Sequence, residues 1–179
     1  DVRVPAEQLV GREGEGWAIA RFLLEFERGG FVMNGMLRRK FARVRALADA
    51  ALATASRAEA AALRARLVDV EIDLLALAAA ELRVALSFET GGSPGPESMV
   101  LKLEYTELWQ RIESLGVALL GSRGLRFEAN DARARHVPRD ARADDRALVG
   151  SFLNNRAATI YGGSSEIQRE IVARSVTAG

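Results

Sequence analysis

Apolar residues recur three and four positions apart along most of the chain, which is the spacing of helices with one buried face. The clearest such stretch is residues 57–89, and residues 97–119 repeat its rhythm. In the first stretch the regular positions are Leu63, Leu67, Val70, Leu74, Leu77 and Glu81, with Ile72, Leu75 and Leu82 widening the stripe. In the second stretch they are Leu101, Tyr105, Leu108, Ile112, Leu115 and Leu119. Since each helix buries one broad face, the pattern predicts an all-α protein, an up-down bundle of four to five helices.

Glycine pairs divide the rest of the helical pattern. A helix is predicted from Trp17; Gly29-Gly30 interrupts it, and it resumes through Val32 to about Leu52. Glycine inside a helix costs about 1 kcal/mol per residue relative to alanine, so tertiary packing has to justify this pair.

A second glycine pair lies near the C-terminus. Residues 146–160 are predicted to be helical, Gly162-Gly163 to break the helix, and a new helix to run from Ser164 or Ser165 to about residue 176. Ser164 is a suitable N-cap for that helix, because its hydroxyl can accept a hydrogen bond from the first helical turn.

Two segments depart from the helical pattern. Val2 and Val4 alternate with polar residues before Pro5, which predicts a remnant β-strand at the N-terminus whose partner strand lies elsewhere. Residues 128–145 are rich in Asp and Arg and contain His136, so we expect an exposed excursion there.

Composition excludes several classes of function. The 179 residues are 49% hydrophobic and 27% charged, which is ordinary for a soluble domain, and the net charge of +1 gives no general attraction to nucleic acid or to an anionic membrane. No apolar run reaches the roughly 18 residues needed to span a bilayer. Cysteine is absent, so disulfides and thiolate chemistry are excluded, and we expect a cytoplasmic protein.

Three features are candidates for chemistry. His136 is the only histidine and has no cysteine to help it bind zinc, so we expect no metal site. Glu27 lies on or beside the apolar face of its helix, and it is either a solvated carboxylate or a desolvated one that acts as a general base. The break at residues 162–166 is either a helix–helix turn with an N-cap or a helix start whose N–H groups bind a phosphate.

At these residues the chain resembles the acyl-CoA dehydrogenase family, in its C-terminal helical domain. The stretch IYGGSSEIQREIVAR is similar to the family's C-terminal signature, Tyr-Glu-Gly-Thr-x-x-Ile-Gln-Arg. VRVPAEQLVGREGEGW resembles the exit from the family's middle β-domain, FLLEFERGG the start of the first bundle helix, and LLGSRGL the turn before the final helices. The resemblance implies that residues 1–12 leave a missing middle β-domain and that residues 13–179 form the C-terminal helical bundle domain.

The resemblance also assigns roles to residues. Many members take the catalytic base from the Glu after the signature Tyr, and that position is Gly162 here. Another branch uses the Glu of a Glu-Arg pair on the first bundle helix, which implies Glu27 as the catalytic base. Substrate binding is then implied for Arg28, Tyr161 and Gly162, and cofactor binding for Gly163, Ser164 and Glu166.

One family feature has no clean match. Relatives often carry Arg-x-x-Phe-Gly after the first helix, which binds the adenine end of FAD in the neighbouring subunit. The residues in this region are Arg38-Arg39-Lys40-Phe41-Ala42, which lack the glycine.

The implied function is FAD-dependent α,β-dehydrogenation of an acyl-CoA thioester, with electrons passed to an electron-transfer flavoprotein. The implied assembly is a homo-dimer or tetramer, or a hetero-oligomer, and the chain alone is expected to catalyse nothing. The glycines near the base predict a bulky, branched or long acyl group. Two alternatives remain: a non-catalytic or FAD-pocket-sharing subunit of a heteromeric acyl-CoA dehydrogenase, and an acyl-CoA oxidase. A bundle used only for protein association is a third and less favoured interpretation.

Overall fold

The computed structural model describes residues 1–29, 33–89, 97–125 and 141–177. Over these residues it contains six α-helices and no β-strand, so the predicted all-α bundle is confirmed. The helices are α1 (Gly16–Gly29), α2 (Asn34–Leu52), α3 (Arg57–Glu89), α4 (Glu97–Leu120), α5 (Ala141–Asn154) and α6 (Ser165–Thr177). Short 3₁₀ turns at Gly121–Leu125 and Asn155–Thr159 follow α4 and α5.

Helix α4 is the central element of the bundle, because α1, α2, α3, α5 and α6 all contact it. Twelve buried apolar side chains form one core between α2, α3 and α4. They are Leu37, Phe41, Val44, Val70, Leu74, Leu77, Val84, Leu101, Tyr105, Leu108, Ile112 and Leu115. Because the predicted stripes of α3 and α4 supply most of this core, the pattern of the sequence located the interior correctly.

The cross-contacts show that α2 and α3 run antiparallel. The backbone N–H groups of Met33 and Asn34, at the start of α2, donate to Glu81 Oε1 at 2.7 and 2.9 Å. Arg45, a dozen residues later, reaches back to Glu71 at 3.5 Å. The short connection over residues 53–56 allows this reversal, and Ser56 and Glu59 cap the start of α3 by exchanging reciprocal hydrogen bonds with each other's backbone N–H groups.

Helix α5 returns antiparallel along α4. Ser151 donates to Glu113, and a Cβ atom on Gly116 would lie 2.8 Å from Leu148 Cδ2. Helix α6 then runs in the direction of α4, since Lys102 contacts Gly163 before α6 while Arg169 within α6 pairs with Glu107. The chain therefore alternates direction through the bundle, as an up-down topology requires.

The ends of the bundle differ from the predictions in two places. Residues 1–5 form no strand and are exposed, because no other segment of the described chain supplies a partner for backbone hydrogen bonds. Helix α5 begins at Ala141 rather than about Arg146, so the polar stretch ends earlier than predicted; alanines within it favour the helix. His136 lies outside the described residues.

The predicted width of the α3 stripe is also wrong on one side. Ile72, Leu75 and Leu82 are exposed, while Val70, Leu74 and Leu77 are buried. Helices α2 and α4 cover only one face of α3, so the apolar residues on the opposite face stay outside this core.

Candidate functional site

The segment from Ile160 to Ser164 is a turn between the 3₁₀ turn after α5 and the start of α6, exposed at residues 160–162 and partly buried at Gly163 and Ser164. Gly162 and Gly163 have φ angles of +67° and +95°, a region that side chains other than glycine rarely adopt. The glycine pair is therefore required by the backbone itself, and the predicted helix break is present at these residues.

The two glycines differ in the space around them. A Cβ atom on Gly163 would lie 2.3 Å from Gln168 Nε2, which no real contact allows, whereas a Cβ atom on Gly162 would meet no heavy atom within 4 Å. The chain thus packs closely against Gly163 and leaves an open volume beside Gly162, the position where the family signature places its glutamate.

Buried polar side chains hold this turn from below. Lys102 on α4 is 3% exposed, and its Nζ donates to the carbonyls of Ala158 at 3.0 Å and Gly163 at 2.8 Å. Gln168 is fully buried, and its Nε2 donates to the carbonyls of Gly162 at 3.1 Å and Gly163 at 3.4 Å. These bonds fix the turn to α4 and α6 while its outer face stays accessible.

The sequence analysis did not identify Lys102 or Gln168 as site residues. Lys102 is one of only two lysines in the chain, and it directly follows Leu101 on the apolar face of α4. A lysine within a buried stripe needs hydrogen-bond acceptors, and that requirement was the available signal.

The start of α6 forms as predicted. Ser164 accepts a hydrogen bond from the Ile167 N–H at its Oγ, 3.4 Å away, and it caps α6, whose first residue is Ser165. Glu166 lies in the first turn and is exposed. A hydrogen bond from its own backbone N–H, with a second from Ser164, lowers the pKa of the Glu166 carboxyl, so this residue carries a negative charge at neutral pH.

Electrostatic effects extend into α4. Burial lowers the pKa of Lys102, and the nearby Glu166 carboxylate partly opposes that change. Burial raises the pKa of Tyr105, with a further contribution from Tyr161. Tyr161 itself is 49% exposed, so its ring is available on the surface of the turn next to the open volume at Gly162.

Two buried polar atoms at the start of α6 have no hydrogen-bond partner. Within the described residues, Ser165 Oγ and Gln168 Oε1 are buried and have no hydrogen-bond partner. A buried polar atom without a partner is costly, so such atoms favour a bound polar ligand or water. Together with the N–H groups at the start of α6 and the open side of Gly162, they fit a polar cofactor such as FAD.

Glu27 and Arg28 lie in the last turn of α1, just before Gly29, its final residue. Their backbone is helical as predicted, and the side chains of residues 24–29 lie outside the described part of the structure. Helix α1 contacts α4, the helix that also supports the turn at Gly163.

Most residues of the basic stretch 38–42 form hydrogen bonds or packing contacts within the chain. Lys40 Nζ donates to Glu113 Oε1 at 2.8 Å and to Ser151 Oγ at 2.9 Å, and Phe41 is buried in the core. Arg38 Nε donates to Asn34 Oδ1 at 2.7 Å. Three of these five residues therefore already have intramolecular partners.

No group of three or more His, Cys, Asp or Glu side chains that could hold a metal ion occurs among the described residues. Nor does any helix in that part of the chain have the length and apolar character needed to cross a membrane.

Comparison with known proteins identifies the family. Residues 14–177 match the family model described as acyl-CoA dehydrogenase, C-terminal domain. Acyl-CoA dehydrogenase IpdE1 from Mycolicibacterium smegmatis is 31% identical over 177 residues, which are 98% of this chain and 40% of that protein. Its counterpart from Mycobacterium tuberculosis is 30% identical over 98% of this chain and 41% of that protein. The chain thus spans about two fifths of the length of these relatives.

Solved structures share the fold at lower identity. The prolyl acyl carrier protein oxidase AnaB superposes with a TM-score of 0.71 at 22% identity, over 97% of this chain and 42% of AnaB. The Tcur3481-Tcur3483 steroid ACAD superposes with a TM-score of 0.73 at 20% identity, over 99% of this chain and 43% of that chain. With a matching family model over nearly its whole length, this chain belongs to the acyl-CoA dehydrogenase family and corresponds to its C-terminal helical domain.

Proposed function

We propose that this chain is the C-terminal domain, from residue 13 onward, of an FAD-dependent acyl-CoA dehydrogenase, with residues 1–12 leading in from a β-domain. The reaction would remove the α-proton and the β-hydride of an acyl-CoA thioester and leave an α,β double bond. FAD, when bound, supplies the two-electron oxidation, and an electron-transfer flavoprotein would then receive the electrons. Because the relatives are more than twice as long, the chain by itself is expected to be inactive.

The observation that carries this proposal is the open, left-handed glycine at position 162. Glycine has no group that can accept a proton, so the base has to come from another residue. The carboxylate proposed for this task is Glu27, on a helix that packs against the same α4 as the turn. Desolvation by the bound thioester would make this carboxylate a stronger base.

The remaining residues of the candidate site would bind and orient the acyl thioester and the cofactor. The N–H of Gly162 would donate to the thioester carbonyl as negative charge develops there. Tyr161 would form an aromatic wall of the acyl pocket, and Arg28 would lie beside the substrate. Gly163, Ser164 and Glu166 would contact the cofactor. Since Lys102 and Gln168 already hold the carbonyls of this turn, its N–H groups are oriented before a ligand arrives.

The base assignment is tested by Glu27→Gln in the longer polypeptide that supplies the FAD-binding domains. We expect turnover to fall by about 10²–10⁴-fold while the flavin absorbance is retained. Glu25→Gln on the same helix is the matched control and should keep its activity. Turnover of Glu27→Gln close to wild type would disprove the assignment.

A gain-of-function variant tests the open position directly. Gly162→Glu has space for its side chain but has to adopt a left-handed backbone. In the Glu27→Gln background it should recover part of the lost activity if both positions face the same α-proton. No recovery, with the variant folded and flavin bound, would show that the two positions serve different atoms.

The open volume at Gly162 also supports a bulky, branched or long acyl group as substrate. One structural neighbour is a steroid ACAD, although at 20% identity that likeness concerns the fold alone. In a panel of acyl-CoA thioesters, branched or long substrates should give the highest kcat/KM. A preference for butyryl-CoA would contradict this proposal.

Two alternatives each have a specific observation in their favour. One alternative is an acyl-CoA oxidase, since the oxidase AnaB has the same fold. Measuring oxygen consumption and the reduction of an electron-transfer flavoprotein in parallel separates an oxidase from a dehydrogenase. Ala42, where relatives carry the glycine of the stretch that binds the adenine end of FAD, favours a subunit that shares its FAD pocket with a different chain. Flavin content after expression alone and after co-expression with a related chain separates these possibilities. We further propose a homo-dimer or tetramer, or a hetero-oligomer, in the cytoplasm.

A further inference from the structure

The C-terminal part of the chain is attached to the rest of the bundle with little apolar packing. We call residues 141–177 the arm; they comprise α5, the 3₁₀ turn after it, the glycine turn and α6. All twelve side chains of the apolar core lie on α2, α3 and α4, and none lies on the arm. Among the arm's described side chains, the buried apolar ones are Val149 and Ala158. Since apolar burial is the main favourable term in packing, the arm is held more weakly than α2, α3 and α4 hold one another.

Hydrogen bonds are the main contacts between the arm and α4. Lys102 donates to two carbonyls of the arm at 3.0 and 2.8 Å, and Gln110 Nε2 donates to the carbonyl of Asn155 at 2.9 Å. The hydroxyl of Ser151 donates to Glu113. Each of these groups can bond to water when the arm is separated, so each bond contributes only a modest net free energy to docking.

The same interface contains polar atoms that docking leaves without a partner. Over the residues that the structure describes, five buried side-chain atoms have no hydrogen-bond partner, and all five lie between α4 and the arm. They are Glu113 Oε2, Asn155 Oδ1 and Nδ2, Ser165 Oγ and Gln168 Oε1. Because these atoms regain hydrogen bonds to water when the interface opens, they favour separation of the arm.

We propose that the arm separates from α4 while α2, α3 and α4 stay folded, and that its docking assembles the candidate site. Helices α5 and α6 have 14 and 13 residues, a length at which a helix without packing is marginally stable, so both lose structure on separation. Lys102 belongs to α4 and Gly163 to the arm, so separation also breaks the bond that fixes the glycine turn. The separation follows from the packing alone, and only its effect on ligand binding rests on the proposed function.

Native-state hydrogen exchange of the chain measures this opening. The slowest amides of α5 and α6 should exchange at least about tenfold faster than the slowest amides of α3 and α4, because local opening requires less free energy than global unfolding. Equal rates for the slowest amides of all four helices would overturn the proposal.

A core variant distinguishes local opening from global unfolding. Leu74 is 2% exposed on α3, which packs against α2 and α4, and Leu74→Ala should accelerate exchange in α3 at least about tenfold. Exchange in α5 and α6 should stay unchanged, because the core remains folded when the arm opens. Val70→Ala makes the same test with a smaller truncation. An equal acceleration in the arm and in α3 would show a single cooperative unit and overturn the proposal.

A variant of the arm tests the cause of its weak docking. Asn155→Leu keeps a similar volume and removes two buried amide atoms that have no partner, so exchange in α5 and α6 should slow several-fold. Asn154→Leu, at the exposed neighbouring position, is the matched control and should leave these rates unchanged. Faster exchange in Asn155→Leu would show that this amide stabilises docking, and it would overturn unpaired polar atoms as the cause.

The effect on ligand binding is tested in the longer polypeptide that supplies the FAD-binding domains. Bound flavin should slow exchange in α5 and α6 at least about tenfold relative to the flavin-free protein, because a ligand of the docked state opposes opening. If the arm opens in the chain but flavin does not slow it, the role of docking in ligand binding is wrong while the separation of the arm stands. If flavin does not bind at all, the proposed function fails instead.

Discussion

The ammonium of Lys102 donates a hydrogen bond of 2.8 Å to the carbonyl of Gly163, which joins the second turn of α4 to the glycine turn before α6. The same Nζ binds the carbonyl of Ala158, at the end of the preceding 3₁₀ turn. Both carbonyls belong to segments where regular helical hydrogen bonds stop. A single buried cation therefore satisfies the backbone at a place where the chain has to reverse.

Replacing this cation should destabilise the protein strongly. Lys102→Met keeps the aliphatic volume but leaves two carbonyls without their partner, so we expect a loss of about 2–4 kcal/mol in the free energy of unfolding. Urea denaturation provides the measurement. Arg45→Met, which removes an exposed ion pair with Glu71, serves as the control and should cost at most about 0.5 kcal/mol. Equal losses in the two variants would show that the Lys102 bonds contribute little.

Replacing a glycine by alanine should destabilise the protein at Gly163 in the turn and stabilise it at Gly150 within a helix. Gly163→Ala has to adopt a φ of +95° and brings its Cβ against Gln168, so we expect a loss of about 2–4 kcal/mol. Gly150→Ala, within α5, meets nothing within 4 Å and should stabilise the protein by about 0.5–1 kcal/mol. Thermal unfolding of both variants checks the pair, and a neutral Gly163→Ala would contradict the described close approach.

A buried ion pair between α2 and α4 provides a third prediction. Glu113 is fully buried, and its Oε1 accepts hydrogen bonds from Lys40, Ser151 and Trp109 Nε1, the last at 2.7 Å. Lys40→Met leaves this carboxylate without a counter-charge and should cost about 3–5 kcal/mol in the free energy of unfolding.

The double variant Lys40→Met/Glu113→Leu removes both charges. It should recover a large part of that loss, because the cost comes from an unpaired buried charge rather than from a missing contact. Urea denaturation of the single and double variants measures the free energy of unfolding of each. A double variant less stable than Lys40→Met would instead assign the stability to the hydrogen bonds of Glu113 with Ser151 and Trp109.

The carboxyl of Glu166 predicts a dependence on pH. Its pKa in the folded chain is lower than 4.5, so the ionised form stabilises the fold above that value. The contribution is lost as pH falls through the folded pKa. Wild type should therefore be more stable than Glu166→Gln at pH 7, and the difference should shrink once the pH drops below 4.5. A difference that stays constant down to pH 3 would exclude this interaction.

Much of the fold was predictable because its determinants are local. The 3–4 spacing of apolar residues from Leu63 to Leu77 gave α3 its observed bounds, and α1 ends at Gly29, the first residue of the predicted glycine interruption. Gly162-Gly163 was recognised as a break because no other residue adopts left-handed backbone so readily. The candidate site was located for the same reason, since its turn and its N-cap are encoded in one continuous segment.

The sequence by itself determined that the chain is a helical bundle, that one helix ends at Gly29 and another break falls at Gly162-Gly163, and that the chain resembles the C-terminal domain of the acyl-CoA dehydrogenase family. Only the tertiary structure decided how wide the buried face of α3 is, because α2 and α4 pack against the side that carries Val70, Leu74 and Leu77 and leave Ile72, Leu75 and Leu82 exposed. It also decided that Lys102 and Gln168 support the glycine turn. Their partners are backbone carbonyls. Every residue has one, so the sequence does not show which carbonyls will need a side-chain donor after folding.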